Sequence, residues 1–123
     1  MAAAKLNIEL EEHSDLNFDF TYLDETKTPV DISNYGGLIL FSADSNTKPF
    51  ASGTHNDGWL QLGGADGKII TAVPYTAYEN LSLQKGIWQL FIHPTANDIT
   101  DRPKRLIAGE FIYKPSPLKF LGL

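Results

Sequence analysis

The sequence contains no cysteine. Disulfides and thiolate metal sites are therefore excluded, and the core has to hold the fold alone, as suits assembly in a reducing cytosol. Long apolar runs are lacking as well. No stretch approaches the roughly 18 consecutive apolar residues that suggest a membrane-crossing helix. The segment Met1-Ala2-Ala3-Ala4-Lys5 lacks the apolar region of a secretory signal. Positive charge is not in excess: the net charge is −5. Without a basic stripe to neutralise phosphates, nucleic acid is a poor candidate partner. Internal repeats and low-complexity tracts are missing too, and helical periodicity is almost absent.

What remains is strand grammar. Apolar residues make up 42% and charged residues 20% of the 123 positions, a globular balance in a length that suits one domain with its own core. Leu6, Ile8 and Leu10 alternate with Lys5, Asn7, Glu9 and Glu11. Leu16, Phe18 and Phe20 alternate with Asn17, Asp19 and Thr21. Each pattern predicts a strand with one apolar face. Leu38 to Phe41 is apolar on both faces, as in a central or covered strand. Phe50 to Thr54 reads as a short edge strand. Asn56-Asp57-Gly58 reads as a tight turn of the kind hairpins use, leading into Trp59-Leu60-Gln61-Leu62. Further strands are predicted over Lys68–Val73, Ile87–His93 and Arg105–Lys114. The one helical candidate, Tyr75 to Leu83, spans one to two turns, with Thr76 as cap and Glu79 at capping-box spacing. Short strands separated by turn signals are the mark of a sandwich or barrel.

The reactive side chains do not gather into a catalytic pattern. His13, His55 and His93 lie in separate segments and read as solvated loop or strand-end residues, with no metal site implied. Asp44-Ser45-Asn46 and Asn97, Asp98 and Asp101 carry oxygen ligands, yet Asx turns explain them without calcium. No serine or threonine sits in a nucleophile elbow. Glu9, Glu11, Glu12 and Asp15 read as a solvated strand face. Among Trp59, Tyr75, Tyr78 and Trp88, the last is expected in the core. Trp59, just after a turn, is the candidate for stacking on a sugar.

The tail Pro115-Ser116-Pro117-Leu118-Lys119-Phe120-Leu121-Gly122-Leu123 is the strongest candidate for partner binding. Its prolines favour an extended peptide. Burying Leu118, Phe120, Leu121 or Leu123 is worth roughly 1.5–3 kcal/mol each. Pro115, Pro117 and these apolar residues either fold back onto their own domain or dock in a groove, or along a sheet edge, of a neighbouring subunit.

The order of landmarks resembles a family of bacteriophage virion domains that includes the N-terminal domain of baseplate upper proteins. The residues that carry the resemblance are Pro29-Val30-Asp31-Ile32-Ser33-Asn34-Tyr35, Gly67-Lys68-Ile69, Tyr75 to Leu81, Gly86 to Ile92, and Arg105 to Pro115. Asn34 stands where the family has glycine, and asparagine tolerates the left-handed conformation. The resemblance implies an all-β fold: an immunoglobulin-like antiparallel β-sandwich of seven to eight strands with one short helical crossing. Residues 1–117 would form the sandwich and 118–123 an extended apolar arm. It implies a non-enzymatic structural protein of a tailed-phage virion, without cofactor, metal, nucleic-acid or membrane partner. Such a protein is assembled in the host cytoplasm and present in many copies that bind other virion proteins. With no fibre shaft after Leu123, a free-standing tail or baseplate accessory is expected. A capsid decoration protein and a carbohydrate-binding adhesion module are the alternatives.

Overall fold

The computed structural model describes residues 4–79 and 81–115. The strands are β1 (Ala4–Lys5), β2 (Ile8–Glu11), β3 (Leu16–Thr21), β4 (Gly36–Ser42), β5 (Ala51–Thr54), β6 (Leu60–Leu62), β7 (Lys68–Val73), β8 (Lys85–His93) and β9 (Lys104–Lys114). One sheet has the order β1-β9-β8-β4-β5, with β2 also along β9; the other has the order β3-β7-β6. In immunoglobulin lettering the first runs G-F-C-C′ and the second B-E-D. The chain is an all-β sandwich of this kind, as expected.

The pairing is not wholly antiparallel. β1 and β2 both run parallel to β9, with Ala4 opposite Ile107 and Ile8 opposite Phe111. The first strand thus lies beside the last, not beside β3. The expected continuous strand through Leu6 is interrupted for a visible reason. Trp88 reaches across Gly109 and donates its indole N–H to the Leu6 carbonyl at 2.8 Å. Asn7 Oδ1 accepts from the Glu110 amide at 3.0 Å in place of a backbone carbonyl. The register is the same on both sides of the break.

The core lies between the sheets. Ile39 and Phe41 of β4, Trp88 and Leu90 of β8, and Phe111 of β9 are fully buried, facing Ile69, Thr71 and Val73 of β7. Burying an aromatic ring removes roughly 150–250 Å² from water, worth about 4–6 kcal/mol at ~25 cal/mol per Å². Trp88 meets Phe18 edge-on at 5.7 Å, and Phe41 meets Phe111 edge-on at 6.1 Å. Ile32 is buried in the corner that leads into β4, and Asn34 there has φ 66°.

Two connections differ from expectation. Around Asn56-Asp57-Gly58 the chain forms a single 3-10 turn, His55–Asp57, with Gly58 at φ 79°. It does not join a hairpin, because β5 and β6 belong to opposite sheets. The helical crossing is likewise one 3-10 turn, Tyr75–Ala77. Its N-cap is Pro74, and no side chain of the turn caps it, so Thr76 is not the cap. The Tyr75 amide instead donates to Asp15 Oδ1 at 2.8 Å. Tyr78 stops the turn by burying its ring, 1% exposed, and donating its hydroxyl to the Ser14 carbonyl.

Candidate binding groove at the open seam

β3 is an outer strand of its sheet, and among the described residues no strand pairs with its other side. Its direction of bonding follows from its ends. The Tyr22 amide donates to Gly67 O, and Phe18 pairs with Thr71 of β7 through the Thr71 hydroxyl. Even-numbered residues therefore bond toward β7, because backbone groups alternate direction along a strand. The amides and carbonyls of Asn17, Asp19 and Thr21 face away from the sheet. In an immunoglobulin-type domain the first strand can cover this edge; here that strand has been taken by β9.

The vacancy opens into a groove of about 480 Å³ between β1, β3 and the start of β9. Its walls are Leu6, Phe18, Phe20, Tyr22, Leu106 and Ile107. Leu6 is 42% exposed. The floor depends on an irregularity: Leu90 pairs with Ile107 and Phe91 with Arg105, leaving Leu106 unpaired. A bulge of this kind re-aims side chains, and both Leu106 and Ile107 are buried. Lys5, Lys104 and Arg105 stand at the rim with Asp19. Lys104 donates to the Tyr22 hydroxyl at 2.7 Å, and Asp19 pairs with Lys68 at 3.6 Å.

The residues singled out from the sequence fall as follows. Pro115 is exposed and is the last described residue; Pro117, Leu118, Phe120, Leu121 and Leu123, and with them the 117/118 boundary, lie outside the described residues. Trp59 is half-buried, 6.3 Å from Phe41. Its ring rests on Gly53, where a Cβ would stand 1.9 Å away, so β5 occupies one face of the indole. Trp88 is in the core, as expected.

His93 corrects the solvated reading, whereas His13 and His55 are half-buried. His93 is 2% exposed, and its ring lies 6.1 Å from that of His55. His55 Nδ1 accepts from the Gly37 amide at 3.2 Å, and His93 Nδ1 lies 2.7 Å from Thr95 O. His13 stands apart, 5.8 Å from the Tyr75 ring. Among the described residues no group of three or more His, Cys, Asp or Glu side chains is placed to hold a metal ion.

Asp44, Asp98 and Asp101 are occupied in loops. Asp44 accepts from Asn46 N and Thr47 Oγ1, Asp98 from Thr100 N and Oγ1, and Asp101 from Thr95 Oγ1. The Thr47 and Thr95 hydroxyls, respectively, hold Asp44 and Asp101 below the usual carboxylate range.

The acidic run is not one solvated face. Glu9 is exposed and pairs with Lys114 at 3.1 Å, whereas Glu12 is 4% exposed and accepts from the Tyr113 hydroxyl at 2.9 Å. Glu12 has the parity of Ile8 and Leu10, which was the available signal. For the groove the signal was partial. Phe18 and Phe20 announced an apolar face, but only the topology leaves that strand at an edge, and only the bulge turns Leu106 inward.

Among the described residues no helix is long and apolar enough to cross a membrane. The chain matches no protein-family model and no curated protein sequence.

Proposed function

We propose that the chain is a non-enzymatic structural protein of a tailed-bacteriophage virion, a tail or baseplate accessory that links neighbouring virion proteins or fibres. The observation that carries this reading is the open seam. A sheet edge with outward-facing backbone groups borders an apolar groove, and strand addition needs both: hydrogen bonds along the edge and pockets for alternate side chains. The ordered motifs of the resemblance supply the phage context. Pro29 to Tyr35 forms the corner into β4, Gly67 to Ile69 opens β7, and Arg105 to Pro115 lies along β9. In a particle, repeated modest contacts add through high local concentration and symmetry.

The test is particle incorporation of a chain truncated after Pro115. The truncated chain should keep its folded spectrum and melting point yet fail to enter particles. Normal incorporation would refute the arm as anchor. Cross-linking through Lys119 separates the two virion locations: a tail or baseplate partner fits the reading, and a major capsid partner fits decoration instead. Glycan binding that is lost in Trp59→Ala, with incorporation intact, would favour the adhesion module.

A further inference from the structure

We infer that the β1/β3 seam selects a strand of a neighbouring protein that is apolar along β3 and carries carboxylate side chains where it passes Tyr22. This names the chemistry of the occupant in the assembly reading above and rests on it. The backbone makes the occupant a strand: Asn17, Asp19 and Thr21 turn their amides and carbonyls outward from β3, while Phe18 and Phe20 line the groove. An uncovered edge beside an apolar cleft is a liability in a free domain.

Charge decides which strand fits. β3 runs past β9 from its end to its start. Leu16 lies with Glu9 and Glu11, the partners of Ile112 and Lys114. Phe18 meets Trp88, which pairs with Gly109, and the Tyr22 hydroxyl accepts from Lys104. The two ends of the seam differ in sign. The hollow at the Leu16 end is lined by Glu9, Glu11 and Asp15. The groove at the Tyr22 end is lined by Lys5, Lys104 and Arg105, against a single acid, Asp19, which Lys68 already holds at 3.6 Å. Lys5 and Arg105 are exposed and stand where this groove meets the hollow over Gln89 and Gly109. Among the described residues none of the three cations pairs with a carboxylate. In a chain of net charge −5, such a cluster beside an apolar cleft favours an occupant of opposite sign and disfavours one of like sign. Residues 115–123 of the chain itself offer apolar side chains, but Lys119 is their one charged side chain. They therefore match the apolar wall and not the cations.

Synthetic peptides test the selection on the full-length chain. The probes are acetylated eight-residue peptides of alternating valine and threonine with two glutamates at one end, made in both orders, one for each strand direction. Their counterparts carry two lysines instead. The better glutamate peptide should bind at least tenfold more tightly than either lysine peptide. That difference should shrink as salt rises toward about 1 M, where the screening length falls to ~3 Å. In the double variant Lys5→Glu/Arg105→Glu, at two exposed positions, the lysine peptides should become the tighter ones while the folded spectrum is kept. Methylating alternate amide nitrogens of the glutamate peptide should weaken it at least tenfold. Equal binding of glutamate and lysine peptides, or no binding of either glutamate peptide, would overturn the proposal. So would tighter binding of a peptide of residues 115–123. Undiminished binding of the methylated peptide would overturn it too, since the occupant would then be an apolar anion and not a strand. If the peptides show no charge ranking but Leu6→Asp blocks particle incorporation, the assembly reading stands and this occupant is wrong. If the ranking holds but the double variant enters particles normally, the selection stands and the seam is not the assembly contact.

Discussion

Gly109 has room for a hydrogen and nothing larger, since a Cβ there would stand 1.8 Å from the Leu6 carbonyl oxygen. The same carbonyl receives the Trp88 indole, so an added methyl displaces both β1 and the ring. Gly109→Ala should cost about 1–3 kcal/mol, the usual range for overpacking, read as a lower urea midpoint. Tyr113→Phe removes a donor to the buried Glu12 side chain. A typical intramolecular hydrogen bond contributes about 0.5–1.5 kcal/mol, and the same measurement should show a loss of that order. Tyr78 gives a pH signature. Its hydroxyl is pushed from 10.0 up to about 12, first by burial and then by Asp15, Tyr113 and Glu11. The folded state holds this proton more tightly than the unfolded state. The stabilisation is therefore complete below pH 10 and is lost as pH rises toward 12. Stability measured across that window should fall less steeply in Tyr78→Phe than in the native chain.

At the scale of elements, the crossing between β7 and β8 separates what patterning shows from what packing decides. Asp15→Ala leaves the Tyr75 amide without its acceptor and should cost about 1 kcal/mol, the typical value of a lost cap. Thr76→Ala should change the urea midpoint little. The reverse ranking would restore the Thr76 capping box. Most strands were legible because alternation is a local property: Lys68–Val73 and the inward set Trp88, Leu90 and Ile92 can be read directly from the residues. The break at Leu6 was not legible, because its cause, Trp88, lies 82 positions away. The change of sheet at His55–Asp57 was hidden for a similar reason: a turn signal does not say which sheet receives the next strand. The groove combines both failures. Its β3 face was visible in Phe18 and Phe20, whereas the edge position and the bulge at Leu106 follow from pairing with distant strands.

The whole molecule is an immunoglobulin-type sandwich whose first strand lies parallel to its last, so that one side of the small sheet stays unpaired among the described residues. On the assembly reading proposed above, a strand supplied by a neighbouring subunit would complete the ladder along β3. Hydrogen exchange at the amides of Asn17, Asp19 and Thr21 tests this most directly. In the free, arm-truncated domain these amides should exchange rapidly, while those of Phe20 and Ile69 inside the sheet are slow. In the assembled full-length protein the three should become protected together, by at least tenfold. Equal, fast exchange of these amides in both states would contradict assembly through the seam.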